Sequence, residues 1–213
     1  MLTRVVVVVL CCCVVLVCGW EGTFCNMLEE PTVVDTSAGQ HAASSGVCKP
    51  FTVASSSRSS SSTIRVLNGD EVSIGEATVV GYRSVPSAAV LLAVRNGDAP
   101  AVIAPRCSDL RPPADMVRVS VVYVCADDST FELVVGPADE PGSPGVLNAS
   151  ASNDFGSVAC GDIGPQSRNL TFYASSSLHT MRPIITIDVN DYESLSGSQL
   201  MFAATCDDVV RVV

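Results

Sequence analysis

Lysine, histidine and aromatic residues are scarce, and each scarcity closes off a class of function. Lys49 is the single lysine, His41 and His179 are the only histidines, and Phe, Trp and Tyr together make 5% of the chain. A hydrolytic nucleophile needs a base beside it, yet neither histidine adjoins a nucleophile motif and Gly-x-Ser-x-Gly does not occur. Both histidines read as surface residues, and the chain reads as a non-enzyme. Positive charge is also sparse, with 12 Lys and Arg against 22 Asp and Glu and a net charge of −10. That balance disfavours nucleic acid and anionic membrane surfaces as partners. Helical periodicity is nearly absent. No second long apolar run follows the N-terminal one, and Val213 is reached without the spacer and apolar tail of a glycolipid-anchor signal.

What is present begins with that first run. Met1 to Arg4 supplies a positive start, Val5 to Cys18 is unbrokenly apolar, and Gly19 is a small residue ahead of Trp20. Together they predict a secretory signal peptide over residues 1–19. A spanning helix needs about 20 apolar residues, so cleavage is expected rather than anchoring, and the mature protein is expected to be secreted with no membrane insertion. Losing Arg4 leaves 11 basic against 22 acidic residues, a mature charge of −11. Such a surface favours solubility and can steer a basic protein ligand by long-range attraction.

The signal segment takes four of the ten cysteines with it, leaving Cys25, Cys48, Cys107, Cys125, Cys160 and Cys206. An even number of thiols in an oxidising compartment predicts disulfides, at most three, and leaves no reduced thiol for catalysis. Asn148-Ala149-Ser150 and Asn169-Leu170-Thr171 are N-glycosylation sequons.

Strand patterns fill the mature chain. In Met116 to Cys125, Val117, Val119, Val121, Tyr123 and Cys125 alternate with Arg118 and Ser120, the pattern of a strand with one apolar and one polar face. Similar strands are expected at Thr63–Leu67, Ala77–Tyr82, Ala88–Arg95, Thr130–Val135, Leu170–Ala174, Pro183–Val189 and Gln199–Cys206. Asn68-Gly69 and Asn96-Gly97 suit type I′ hairpin turns. The serine run Ser55 to Ser62 reads as a solvated loop, with O-glycosylation as its functional alternative. Ala138 to Gly145, rich in Pro, Gly and acids, is the expected linker between β-rich units at 20–137 and 146–213, which can also form one continuous sandwich.

An internal repeat is discernible across that linker. Cys48, Phe51–Ser57, Ile64–Val66 and Cys107 run in the same order as Cys160, Leu170–Ser177, Ile185–Ile187 and Cys206. A duplication would predict bonds from Cys48 to Cys107 and from Cys160 to Cys206, leaving Cys25 for Cys125.

Three short stretches resemble known modules. Asp188-Val189-Asn190-Asp191 is similar to the Asp-x-Asn-Asp element of cadherin-type linkers, which implies calcium ligands at Asp188, Asn190 and Asp191. Asp127-Asp128 and Asp207-Asp208, each one residue past a cysteine, are further oxygen donors. A polar turn ending a strand is the alternative, and no other cofactor is suggested. Leu91 to Pro100 resembles a strand of prepeptidase C-terminal β-sandwich domains. Asn96-Gly97-Asp98, Cys107, Arg118 and Cys125 are similar to the loop, cysteines and arginine of mannose 6-phosphate receptor homology domains, which implies sugar recognition.

These features define an all-β protein, an antiparallel β-sandwich with up to three disulfides and a suggested duplication. Function is expected in binding: an extracellular protein ligand met by an acidic surface, with Tyr82, Arg83 and Tyr123 as conceivable contacts. Secreted viral cytokine- or chemokine-capturing β-sandwiches share this general character. A carbohydrate-binding module and a structural surface or matrix protein are the alternatives.

Overall fold

The computed structural model describes residues 19–55, 59–82, 89–107, 116–124, 132–137, 147–148, 155–163, 169–175, 181–188, 199–205 and 209–212. Sixteen strands and no helix occur among them. The first eight are β1 (Gly19–Asn26), β2 (Thr32–Thr36), β3 (Gly39–Ala43), β4 (Val47–Ala54), β5 (Ser59–Asn68), β6 (Ser73–Tyr82), β7 (Val90–Asn96) and β8 (Ala99–Ile103). The second eight are β9 (Val117–Tyr123), β10 (Glu132–Pro137), β11 (Leu147–Asn148), β12 (Val158–Ile163), β13 (Asn169–Ser175), β14 (Met181–Asp188), β15 (Gln199–Ala204) and β16 (Val209–Arg211).

The strands form four sheets of four. Their orders are β3-β2-β5-β6, β4-β1-β7-β8, β12-β9-β15-β16 and β11-β10-β13-β14. Adding eight to every strand number of the first pair of sheets generates the second pair, so the chain is a duplicated sandwich. Two pairs depart from the expected antiparallel pattern, because β1 runs parallel to β7 and β9 parallel to β15. Parallel neighbours need a long crossover, and in each half five intervening strands supply it. No described sheet mixes strands of the two halves. The expected linker at 138–145 is therefore not where the sheets divide: β10, before it, pairs with β11, after it, and the change falls between Ile103 and Val117.

The repeat joins different segments from those the sequence suggested. Cys48 and Cys160 do lie on equivalent strands, β4 and β12. Phe51 and Leu170, however, fall on β4 and β13, and Ile64 and Ile185 on β5 and β14, one strand out of step. Valine- and serine-rich strands share one alternating pattern, so neighbouring strands mimic each other.

Three of the four strand prolines lie on sheet edges, and the fourth, Pro137, ends the interior strand β10. Pro50 lies on β4, Pro100 on β8 and Pro183 on β14, each the outermost strand of its sheet. A residue without an N–H interrupts no interior ladder there, and it blunts pairing with another chain.

The core of the first sandwich gathers around Trp20, Phe24, Phe51, Val53, Ile64, Val66, Leu91 and Ala93. Trp20 and Phe51 meet edge to face with ring centroids 6.0 Å apart. The indole lies over the β5–β6 pair where Ser60 stands opposite Gly81, and its Nε1–H donates to Ser60 Oγ at 2.7 Å. The serine run is thus part strand: Ser59 to Ser62 pair with β6. A Cβ on Gly81 would fall inside the Trp20 ring, and one on Gly22 would sit 2.6 Å from Phe51.

A second apolar layer lies between the halves. Cys25, Val90, Leu92 and Val94 from the first half meet Val122, Val124, Met201, Ala203 and Val212 from the second. Because alternate residues of β7 serve the two layers, Val90 to Val94 are all buried. The same holds for β9 and β15, in which every residue is buried. The sequence placed Arg118 and Ser120 on a polar face; the alternation is correct, but that face is covered by the first sandwich rather than by solvent.

Gly81→Ala drives a methyl into the indole and is expected to lower stability by about 2–3 kcal/mol. Gly69→Ala, whose methyl would meet only Pro31 at 3.8 Å, is expected to cost less than ~1 kcal/mol. Urea unfolding followed by Trp20 fluorescence checks both.

Candidate functional surfaces

Both hairpins expected in the first half form, though with different turns. At the β7–β8 turn Asn96 pairs with Ala99. Gly97 alone takes positive φ, 60°, as at the first central position of a type II′ turn. Between β5 and β6 the left-handed residue is Glu71, with φ of 62°, not Gly69. Asn68 holds this loop: its Oδ1 accepts from the Asp70 N–H at 3.1 Å and the Val72 N–H at 2.9 Å.

Asn26 performs the same service for the β1–β2 connection. Fully buried, it donates from Nδ2 to the carbonyls of Glu30 at 2.7 Å and Ala43 at 3.2 Å, and its Oδ1 accepts from the Leu28 N–H at 3.0 Å. Register places the two loops together, since Thr32 at the start of β2 pairs with Asn68 at the end of β5. The β7–β8 turn projects from the same end, because β1 and β7 run parallel and Asn26 pairs with Ala93. Glu29, Glu30, Asp70, Glu71 and Asp98 are exposed on these three loops, beside Val72, 59% exposed. Arg95, at the exposed end of β7, is the cation among them. The sequence marked Asn68 as a turn residue, but it signalled neither Asn26 nor the gathering of these acids at one end.

The cysteine pairing differs from the expected one. Cys25 bonds Cys48, and Cys107 bonds Cys160; the proposed bonds Cys48–Cys107, Cys160–Cys206 and Cys25–Cys125 are not formed. The reason is register. Cys25 and Cys48 stand directly opposite each other on β1 and β4, with Cα atoms 4.0 Å apart. In the second half Ser120 stands opposite Cys160, so Cys160 takes its partner from the segment joining the sandwiches. Cys125 and Cys206 lie outside the described residues.

Arg118, the resemblance-derived sugar contact, is otherwise engaged. Only 5% exposed, it grips Asp162 on β12 with two bonds, Nε to Oδ1 at 2.7 Å and Nη2 to Oδ2 at 2.8 Å. Beside it, Gln199 Nε2 donates to Ser120 Oγ at 3.3 Å, and Ser120 Oγ donates to the Leu200 carbonyl at 3.3 Å. These buried groups satisfy one another on the inner sheet. Tyr123, a conceivable ligand contact, is buried at 7% exposure. Nothing is described of Arg83 or of the Tyr82 side chain.

The remaining candidates fall in the fourth sheet or beyond it. Asp188 ends β14 opposite Asn169, while Asn190 and Asp191, with Asp127-Asp128, Asp207-Asp208 and His179, lie outside the described residues. Among the described residues no group of three or more metal-ligating side chains occurs. His41 accepts the Thr52 N–H at Nε2, 3.4 Å. For the sequons, register sets Asn148 beside Val134 and Val134 beside Tyr173, with Asn169 on the same strand as Tyr173. Both sequon asparagines lie on strands of the fourth sheet, Asn148 on β11 and Asn169 on β13.

No protein-family model and no curated protein matches the chain. Among solved structures it is similar to a putative adhesin from Bacteroides ovatus, at 12% identity over 92% of both chains, with a TM-score of 0.26. A score that low relates neither fold nor function.

Asp162→Ala leaves the buried Arg118 guanidinium without its carboxylate and is expected to cost about 3 kcal/mol of unfolding free energy. Chemical denaturation measures it; a loss below ~1 kcal/mol would mean that the pair acts as an ordinary surface ion pair.

Proposed function

We propose that the protein is a secreted extracellular binding protein that recognises a basic protein ligand with the acidic loop end of its first sandwich. The observation that carries this reading is the gathering of Glu29, Glu30, Asp70, Glu71 and Asp98, all exposed, on three adjacent loops, two of which are held in place by Asn26 and Asn68. Loops at the end of a rigid sandwich are where such folds commonly carry recognition. Exposed carboxylates accelerate encounter with a cationic partner, and Val72 adds apolar area that becomes dry on contact. Two disulfides accord with an oxidising compartment, and the N-terminal apolar run supplies the route to it.

This reading leaves the sugar alternative with little to work on, since Arg118 is buried against Asp162. Small basic secreted proteins of the chemokine or cytokine kind have the charge and size that an acidic loop cluster would select. Glycans on Asn148 and Asn169 would sit on strands of a different sheet, in the other sandwich, and leave the acidic loops open.

The binding test uses the mature protein against a panel of small basic secreted proteins, with acidic proteins of equal size as controls. Basic members are expected to bind at low salt and to lose about tenfold or more in association rate as salt rises. The variant Glu29→Gln, Glu30→Gln, Asp70→Asn, Glu71→Gln is expected to reproduce that loss at low salt. Capture that ignores salt, or none at all, contradicts the proposal. Separately, protein secreted from eukaryotic cells is expected to shift in mass on treatment with a peptide N-glycosidase, with Asn148→Gln and Asn169→Gln each removing one glycan.

A further inference from the structure

We infer that the Cys25–Cys48 disulfide is a thiol-exchange site, opened by an extracellular dithiol reductant through the exposed Cys48 sulfur while Cys107–Cys160 stays closed and the first sandwich stays folded. The place of the bond in the ladder is the first observation. The Thr52 N–H and carbonyl face away from β1, to His41 Nε2 at 3.4 Å and Thr36 Oγ1 at 2.8 Å. On β1, the Thr23 and Met27 N–H groups donate to the carbonyls of Ala89 and Ala93. By alternation Cys25 and Cys48, directly opposite each other, are a non-hydrogen-bonded pair. Such pairs are the closest approach of antiparallel strands, about 4.5 Å between Cα atoms, at the short end of the roughly 4.4–6.8 Å that a disulfide spans. Cys107–Cys160 differs. Its Cα atoms are 5.9 Å apart, in the commonest range, and it closes a separation of 53 residues rather than 23, which constrains the unfolded chain more. The β1–β4 ladder holds eight residue pairs in register besides its bond, so the strands stay together without it.

The two sulfurs are unequally placed. Cys25 is 2% exposed, whereas Cys48 is exposed on β4, the outermost strand of its sheet. No strand of that sheet lies beyond Cys48 on the side away from Cys25, which is the side an attacking sulfur needs. One thiolate of the reductant attacks Cys48 Sγ and displaces Cys25 as a thiolate, which takes up a proton. The reductant's second thiolate then breaks the mixed disulfide and releases Cys48, which is protonated in turn. The reductant has given up two electrons and two protons and departs as a disulfide. Cys25 Sγ lies 3.7 Å from the Val212 carbonyl oxygen; a disulfide sulfur has no proton to offer it, and the freed thiol has one. A thiol among Val90, Leu92, Val94 and Val212 is a poor nucleophile, so it does not reverse the exchange. Opening the bond frees the start of β4 beside Asn26, whose carbonyl accepts the Gly46 N–H at 2.8 Å, and so reaches the loop end that carries Glu29 and Glu30.

The mature protein is equilibrated with increasing dithiothreitol, alkylated and cleaved before aspartate, which puts Cys25, Cys48, Cys107 and Cys160 on four different peptides. Cys25 and Cys48 are expected to become alkylated at about tenfold less reductant than Cys107 and Cys160, with Trp20 fluorescence unchanged when their labelling is complete. Labelling of all four together, or of Cys107 and Cys160 first, overturns the inference, as does a shift of Trp20 emission to that of the unfolded chain. A thioredoxin whose second active-site cysteine is replaced by serine gives an independent readout. It is expected to be trapped in a mixed disulfide on the Cys48 peptide; trapping on Cys25 instead, or no trapping, contradicts the proposed route. No ligand enters either experiment, so failure here is separate from failure of the proposed binding.

Discussion

The apolar layer shared by the two inner sheets is the constraint on which the rest of this structure depends. It forces β7, β9 and β15 to be buried on both faces, which converts an alternating pattern into continuous runs such as Val90 to Val94. Each sandwich uses one face of its inner sheet for its own core and the other for its neighbour. A polar group caught in that layer has to be satisfied by the protein. Arg118 is satisfied by Asp162 from the adjacent strand, and Ser120 by Gln199 and the Leu200 carbonyl.

Duplication explains both the likeness and the difference of the halves. The same strand order arises twice, with the same parallel pair at the centre of each inner sheet. The cysteines have diverged on this common frame. Where the first copy closes Cys25 to Cys48 across neighbouring strands, the second has Ser120 at the facing place, and Cys160 ties down the inter-sandwich segment at Cys107. One copy is stapled internally, and the other is stapled to the chain that delivers it.

Much of the fold was legible in the sequence, because strand alternation is a local property. The alternation of Val117, Val119, Val121 and Tyr123 against Arg118 and Ser120 is the one observed. That both faces are buried was not legible, since no local pattern reports a second sheet stacked behind the first. Disulfide pairing failed for a related reason. It depends on which strands become neighbours, and the pairing of Cys25 with Cys48 needs β1 and β4 side by side while β2 and β3 join another sheet. The acidic residues of the candidate surface were visible as residues, but their gathering at one end rests on the β2–β5 and β1–β7 registers. Asn26 was overlooked because an asparagine ending a strand resembles any turn residue until its buried bonds are seen.

Trp20, the only tryptophan, lies in the core of the first sandwich and reports on that half alone. The most direct measurement is therefore equilibrium urea unfolding of the oxidised protein, followed in one sample by Trp20 fluorescence and by hydrogen exchange in β9 and β15. Two sandwiches that share an apolar layer are expected to lose structure together, with coincident midpoints for the two probes. Well-separated midpoints, with β9 and β15 exchanging freely while Trp20 remains buried, would contradict the claim that the shared layer holds the molecule together.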